Sequence, residues 1–148
     1  MSAADEVVAR DGPGTVEPTA VTLLLVEDND IDACLVERLI RKMDGRLELV
    51  RARNGEEALA MILGSASCAG PTVALIDLNM PRMGGLELLD ELDRRRCAAP
   101  NGPVYLLTTS ASPADRDAAL AHARVSGCLV KPVDRASLET AVALATAR

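Results

Sequence analysis

Residues 72–85 read TVALIDLNMPRMGG, an uninterrupted apolar run that ends at Asp77 and is followed by a loop rich in proline and glycine. A continuous apolar run, unlike an alternating one, predicts a strand covered on both faces, as in a parallel sheet between helices. In the loop, Pro81 stiffens the turn, and Gly84 and Gly85 allow positive φ before the next helix. The stretch therefore predicts a buried strand that carries a carboxylate to the edge of a parallel sheet.

The pattern of an apolar run followed by a helical segment occurs on either side of this stretch as well. The other runs are VTLLLV, LELVRA, VYLL and CLV, and LELVRA is polar enough to suit an edge strand. Right-handed crossovers between five such units favour one arrangement. The predicted fold is α/β: a flavodoxin-like, doubly wound five-stranded parallel sheet in the order 2-1-3-4-5, with five helices.

The chain of 148 residues fits one domain of ordinary size. Residues 1–20 are rich in Pro, Gly, Ala and acids without any period, which predicts a flexible N-terminal tail ahead of a folded domain at 21–148.

The formal charge is −6 and no basic stripe is present, so we expect no nucleic-acid partner. Without a signal peptide or a bilayer-length apolar run, we expect a cytoplasmic protein that does not contact membranes.

Some side chains are assigned ordinary structural roles. Leu35, Leu39 and Met43 share one face of the first helix and are predicted to pack in the core. The single histidine, His122, is predicted to lie on a helix surface. Short polar side chains are predicted N-caps, and the cysteines lack Cys-x-x-Cys spacing and are predicted to be reduced thiols. The caps are Asn29 or Asp30, Asn54 and Ser112, and the cysteines are Cys34, Cys68, Cys97 and Cys128.

Polar side chains follow four of the predicted strands. Glu27 and Asp28 follow VTLLLV, Asp77 follows TVALI, Thr108 follows VYLL, and Lys131 follows CLV. Each alone is as consistent with a cap or a solvated loop as with a site. In a parallel sheet, however, all these positions lie at the carboxyl edge, where ligands bind. The joint pattern therefore predicts a shared crevice.

Carboxylates in such a crevice require positive charge beside them. Two carboxylates about 4 Å apart repel by roughly 4 kcal/mol at an effective dielectric of about 20. Lys131 supplies one positive charge, and a divalent ion would supply the rest. Oxygen ligands without His or Cys favour Mg²⁺ or Mn²⁺ over zinc. Such a site suits phosphoryl transfer to a carboxylate nucleophile.

Four segments occur in order, each at the end of its strand: LLVEDN, LIDLNMPRMGG, LLTTS and LVKP. With these segments, the chain resembles the receiver domain of two-component response regulators from about residue 21 to residue 147. The resemblance implies that a sensor histidine kinase phosphorylates Asp77. It implies an Mg²⁺ site in which Asp28 and Asp77 bind directly, Glu27 acts through water, and the main-chain carbonyl of Asn79 is a third protein ligand.

The resemblance also assigns the residues that respond to the phosphoryl group. It implies that Thr108 follows this group on activation and that Lys131 pairs with one of its oxygens. Pro132 matches the family's cis-proline, which aims the lysine inward. Receivers usually have Tyr, Phe or His at the position of Cys128, so the usual coupling between the threonine and a ring cannot operate here in its common form.

A narrower resemblance concerns the kind of receiver. The chain resembles the small stand-alone receivers that serve phytochrome-type and related sensor kinases. The shared features are the LTTS segment, the long connection RRRCAAPNGP and the lack of an output domain. Such proteins often pair through the fourth helix, fifth strand and fifth helix, so we expect a homodimer through that face.

Two other functions are consistent with parts of the sequence. A receiver-like module that binds partners without phosphorylation is compatible with Cys128, although Asp77, Thr108 and Lys131 are all present. A hydrolase with an aspartyl-phosphate intermediate would typically have a second aspartate where Asn79 stands. We therefore expect a phosphoacceptor, not an enzyme, limited to self-phosphorylation from small donors and autodephosphorylation.

Output through protein contacts and phosphotransfer to another protein both remain open, and the missing ring slightly favours phosphotransfer.

Overall fold

The structure, a computed structural model, describes residues 21–43, 47–64, 72–109 and 112–146. Five strands and five helices alternate along these residues. The strands are β1 (Val21–Val26), β2 (Leu47–Ala52), β3 (Thr72–Asp77), β4 (Val104–Thr108) and β5 (Gly127–Val130). The helices are α1 (Asp30–Lys42), α2 (Gly55–Gly64), α3 (Gly85–Arg94), α4 (Pro113–Ala121) and α5 (Arg135–Thr146).

All neighbouring strands pair in parallel, in the order β2-β1-β3-β4-β5. The predicted flavodoxin-like α/β fold is therefore confirmed, including the edge position of LELVRA as β2. The predicted tail at residues 1–20 lies outside the described residues. None of the helices within the described ranges is long and apolar enough to cross a bilayer.

The core has one layer on each face of the sheet. Leu24 and Ile76 point towards a layer built with α2, α3 and α4, whereas Leu25 and Leu75 point towards a layer built with α1 and α5. Because successive side chains of a strand point to opposite faces, burial on both sides requires apolar residues at every position. This explains why β1 and β3 are continuously apolar.

The prediction for the core face of α1 was wrong at Leu35, which is exposed. The helix instead buries Ala33 and Val36 against the sheet, while Leu39 and Met43 are only partly buried. Ala33 and Val36 therefore define the buried face of the helix, and Leu35 lies outside it. Periodicity predicted the helix but not which side of a broad apolar stripe faces the sheet.

The capping predictions were right for two helices. Asn29 Oδ1 accepts a hydrogen bond of 2.9 Å from the amide of Asp32, and Asn54 Oδ1 accepts one of 2.8 Å from the amide of Glu57. Ser112 precedes α4 as predicted, but no hydrogen bond from its side chain caps the helix, which begins with Pro113. Proline suits this first position because its missing N–H is one of the amides that have no partner within a helix.

The predicted role of Gly84 and Gly85 in the β3–α3 loop was wrong. Gly84 has φ −79°, and the positive φ of this loop falls on Arg82, at 74°. The glycines are needed for close approach instead. A Cβ atom at Gly85 would lie 2.8 Å from the main-chain oxygen of Asp77. Glycine therefore lets α3 begin directly against the end of β3.

His122 was predicted to lie on a helix surface, but its side chain is only 12% exposed. Nε2 lies 3.1 Å from Asp90 Oδ1, and Nδ1 accepts a hydrogen bond of 3.2 Å from the amide of Arg124. The imidazole thus joins the end of α4 to α3. Cys34, Cys97 and Cys128 are free thiols, and Cys68 lies outside the described residues.

Candidate functional site

Three carboxylates meet where β1 and β3 end. Oxygens of Glu27, Asp28 and Asp77 all lie within 4.8 Å of one another. The sheet brings them together because β1 and β3 are neighbours with Val26 opposite Ile76, so the next residue of each strand projects from the same edge. Glu27 and Asp77 are buried and Asp28 is exposed. The predicted acidic crevice is therefore present.

Lys131 reaches this crevice from the loop after β5. Its Nζ lies 2.7 Å from Glu27 Oε1 and 3.1 Å from Asp77 Oδ2. The main-chain amide of Lys131 donates a 2.8 Å hydrogen bond to the carbonyl of Thr108, which fixes the loop to the end of β4. The Lys131–Pro132 peptide is cis, as the resemblance implied. One ammonium thus lies beside the two buried carboxylates.

Burial and charge pairing shift the pKa values of this cluster. Burial raises the pKa of Glu27 to about 7, and the Lys131 ammonium opposes that shift without cancelling it. For Lys131, burial alone would lower the pKa, but the close carboxylates of Glu27, Asp32 and Asp77 outweigh burial and raise it above its usual range. Lys131 is therefore charged at neutral pH, and the pKa of Glu27 lies well above its usual range.

Two residues of the site were not found from the sequence. Asp32 Oδ2 lies 3.0 Å from Lys131 Nζ. Asp32 stands in the first turn of α1, and helical side chains lean towards the helix N-terminus, which here adjoins the crevice. An acidic residue in the first turn was the available signal. Arg51 on β2 donates from Nε (3.1 Å) and Nη2 (2.8 Å) to the main-chain oxygen of Glu27.

Arg51 also pairs with Asp30 at 3.0 Å, so one guanidinium holds both ends of the Glu27–Asp30 turn. The planar fork of arginine suits such double contacts. No sequence signal indicated this role, because the pairing depends on the lateral register of β2 against β1. The consequence is a β1–α1 turn whose acidic residues are held in place by a neighbouring strand.

The remaining predicted residues lie around the crevice or beside it. The amide of Asn79 donates a 3.1 Å hydrogen bond to Asp77 Oδ1 from the exposed β3–α3 loop. Thr108 is buried at the end of β4, one residue beyond Leu107, which is opposite Asp77. Cys128 lies further back on β5, opposite Leu106, and packs against the layer under α2, α3 and α4. The thiol is therefore outside the crevice.

The donor set fits a hard divalent cation. The three converging side chains offer only carboxylate oxygens, which Mg²⁺ and Mn²⁺ prefer. Glu27 Oε1 is buried and accepts no aligned hydrogen bond from the described residues, although the Lys131 ammonium lies beside it. A buried oxygen without an aligned hydrogen bond is stabilised by an additional cation or hydrogen-bond donor. A cation with its bound water would meet that need.

Comparisons with known proteins agree with this geometry. The model of the response regulator receiver domain family matches residues 23–143. The probable methanogenesis regulatory protein FilR2 of Methanothrix harundinacea is 35% identical over 127 residues, which cover 81% of this chain and 77% of FilR2.

Two solved structures extend the comparison. A two-component response regulator of Cytophaga hutchinsonii superimposes with a TM-score of 0.77 at 27% identity, covering 87% of this chain and 98% of that one. The bacteriophytochrome response regulator AtBRR gives a TM-score of 0.67 at 32% identity, covering 85% and 92%. With its acidic crevice, its buried lysine and a family match along most of its length, this chain belongs to the response regulator receiver domain family.

Proposed function

We propose that the domain accepts a phosphoryl group from a histidine kinase on Asp77. The observation that carries the proposal is the position of Asp77, whose carboxylate lies beside Glu27 and Asp28 and 3.1 Å from the Lys131 ammonium. A carboxylate oxygen of Asp77 attacks phosphorus, and the bond from phosphorus to the kinase histidine breaks. The product is an acyl phosphate and a free imidazole.

The surrounding residues position the acceptor and neutralise charge. Asp28, Asp77 and the main-chain carbonyl of Asn79 would bind Mg²⁺ directly, with Glu27 acting through water. When bound, the ion offsets the charge of the transferring phosphoryl group. Lys131 pairs with a phosphoryl oxygen, and Thr108 turns its hydroxyl towards the same group. Asn79 stands where a turnover phosphatase would need a second acid, so the phosphorylated domain is a signal rather than a catalytic intermediate.

The kinase partner is proposed from relatives. AtBRR, which is 32% identical to this chain, is described as a bacteriophytochrome response regulator. We therefore propose a sensor histidine kinase in general and, more narrowly, one of phytochrome type. A kinase that consumes ATP would place the exchange in the cytoplasm.

Output from the domain is proposed to pass either through protein contacts or through phosphotransfer to another protein. Cys128 replaces the usual ring, and burial raises the pKa of its thiol, so this position offers a small neutral group. Exposed Leu120, Val130 and Leu144 lie on α4, β5 and α5. These apolar side chains support a homodimer through that face, and transfer of the phosphoryl group to another protein remains the other route.

The proposal is tested by the intact mass of the protein after incubation with Mg²⁺ and acetyl phosphate. The wild type is expected to gain one phosphoryl group, and both chelation of Mg²⁺ and Asp77→Asn are expected to abolish the gain. Asp77→Asn retains the size of the side chain, so its folding serves as a control. If the wild type gains nothing from acetyl phosphate or from candidate histidine kinases, the domain acts as a phosphorylation-independent binding module.

A further inference from the structure

The Lys131 ammonium has more acidic partners than the phosphoryl chemistry requires. Its Nζ lies 2.7 Å from Glu27, 3.1 Å from Asp77 and 3.0 Å from Asp32. An ammonium carries three N–H donors and no acceptor. Asp32 and Asp77 each accept one of its hydrogen bonds and Glu27 Oε1 lies beside it as an ion-pair partner, so a phosphoryl oxygen must compete with these carboxylates for the ammonium.

Phosphorylation converts the carboxylate of Asp77 itself, and of the two partners that remain, Asp32 gives up its contact at the lower cost. Its side chain is 32% exposed, whereas those of Glu27 and Asp77 are 1% and 7% exposed. A carboxylate that water can reach is resolvated when its cation leaves, but a buried one is not. Asp32 also belongs to α1, and its oxygens are not among the three carboxylates that converge within 4.8 Å.

We propose that Asp32 is a positioning residue that holds the Lys131 ammonium on the α1 side of the crevice and competes with the phosphoryl group for it. The inference rests on the proposed phosphorylation of Asp77. Phosphorylation then exchanges the Asp32–Lys131 contact for a contact between Lys131 and a phosphoryl oxygen. Asp32 thereby slows phosphorylation and leaves α1 with an unpaired carboxylate in the phosphorylated state.

The test is a double-mutant cycle. Asp32→Asn removes the charge at constant shape and is made both in the wild type and in Lys131→Ala. Initial rates of phosphorylation by acetyl phosphate are read from intact mass at saturating Mg²⁺, with donor raised until the Lys131→Ala reaction is measurable. Asp32→Asn is expected to accelerate the reaction roughly two- to fivefold when Lys131 is present and to change nothing in Lys131→Ala.

Two further variants separate positioning from general effects. Glu37→Gln also removes one negative charge from α1, but Glu37 makes no ion pair with Lys131, so the rate of this variant is expected to match the wild type. Asp32→Glu keeps the charge and is expected to restore the slower rate. A structural role of Asp32 would not produce an effect that vanishes with Lys131.

The outcomes distinguish this inference from the function on which it rests. A wild type that takes up no phosphoryl group from any donor overturns the proposed function and the inference with it. A phosphorylated wild type whose rate equals that of Asp32→Asn overturns the inference alone. An equal acceleration by Asp32→Asn in the presence and absence of Lys131 also overturns the inference alone. It would show that the Asp32 charge repels the phosphodonor directly and does not compete for the ammonium.

Discussion

At the scale of a single residue, Glu27 is a buried carboxylate whose charge is only partly compensated. Its side chain is buried beside Asp77, and it is compensated by the Lys131 ammonium 2.7 Å from Oε1 and by the amide of Asn29, which donates a 3.2 Å hydrogen bond to Oε2. Removing a charged group from water costs several kcal/mol unless it is paired and hydrogen-bonded. Here the pairing is incomplete, so burial raises the pKa of Glu27 to about 7 from its usual 4.5.

This shift predicts how stability depends on pH in the absence of Mg²⁺. Between pH 4.5 and pH 7 the folded state holds a proton on Glu27 that the unfolded state has released. Unfolding therefore releases a proton, and the free energy of unfolding falls as pH rises through this window. At about 1.4 kcal/mol per pKa unit, the shift from 4.5 to about 7 corresponds to a fall of roughly 3 kcal/mol. Urea unfolding in the presence of a chelator measures it.

Glu27→Gln is the matched control, because it keeps the shape of the side chain but does not titrate. Its unfolding free energy is expected to lack this fall. The lowered pKa values of Asp30 and Asp93, which are held down by arginine partners, affect stability only below the window. Parallel curves for the wild type and Glu27→Gln would contradict the assignment of the raised pKa to Glu27.

Among single residues, those placed directly after strands were predictable and those that support them were not. Glu27, Asp77 and Lys131 meet because parallel strands end at one edge, a rule that needs only the order of the elements. Asp32 and Arg51 reach the site through the rotation of α1 and the register of β2, neither of which has a sequence signature. The supporting contacts therefore depend on packing in three dimensions that no sequence motif encodes.

At the level of elements, the start of α3 controls the acceptor strand. The first residue of α3, Gly85, lies against the end of β3, where a Cβ atom would meet the main-chain oxygen of Asp77 at 2.8 Å and a methyl group of Leu106 at 3.1 Å. A contact with backbone cannot be relieved by a change of rotamer. Any larger residue at Gly85 must move either the helix or the strand that carries Asp77.

Gly85→Ala is therefore expected to destabilise the domain by about 2 kcal/mol or more. Gly64→Ala is the matched control, because a Cβ atom there meets nothing within 4 Å and the residue is helical. Because Gly64 is the last residue of α2, this control should change the free energy of unfolding by no more than about 0.5 kcal/mol. Urea unfolding compares the two variants, and similar free energies for both would refute the steric argument.

The helices also show where periodicity is insufficient. An apolar stripe at helical spacing predicted α1, but Leu35 lies outside the buried face because Ala33 and Val36 contact the sheet. Similarly, an alanine-rich context suggested an exposed His122, whereas the imidazole is held between Asp90 and the amide of Arg124. Both differences arise from how neighbouring helices pack, which a pattern along one helix does not contain.

For the whole molecule, the fold could be predicted almost completely. Continuous apolar runs, a polar edge run and right-handed crossovers leave little freedom in the order β2-β1-β3-β4-β5. The parallel sheet then places every strand end at one edge and leaves α4, β5 and α5 together on one side. The exposure of particular apolar residues on that side was not predictable, because it depends on the exact packing of each helix.

The homodimer is a prediction about this side of the molecule. Sedimentation velocity of the wild type is expected to show association that increases with protein concentration. Leu144→Glu places a charge on α5 within the proposed interface and is expected to weaken the dimer about tenfold or more. Leu63→Glu makes the same change at an exposed site on α2 and should sediment like the wild type. A monomer at all concentrations, phosphorylated or not, would exclude the dimer.

The central claim, that Asp77 is the phosphoacceptor, is tested most directly by locating the modified carboxylate. The protein is incubated with Mg²⁺ and acetyl phosphate, the acyl phosphate is reduced with borohydride to an alcohol, and the peptides are sequenced by mass spectrometry. The account predicts homoserine in place of Asp77, with Glu27 and Asp28 unmodified and no reduction when Mg²⁺ is withheld. Reduction at a different carboxylate, with Asp77 intact, would contradict it.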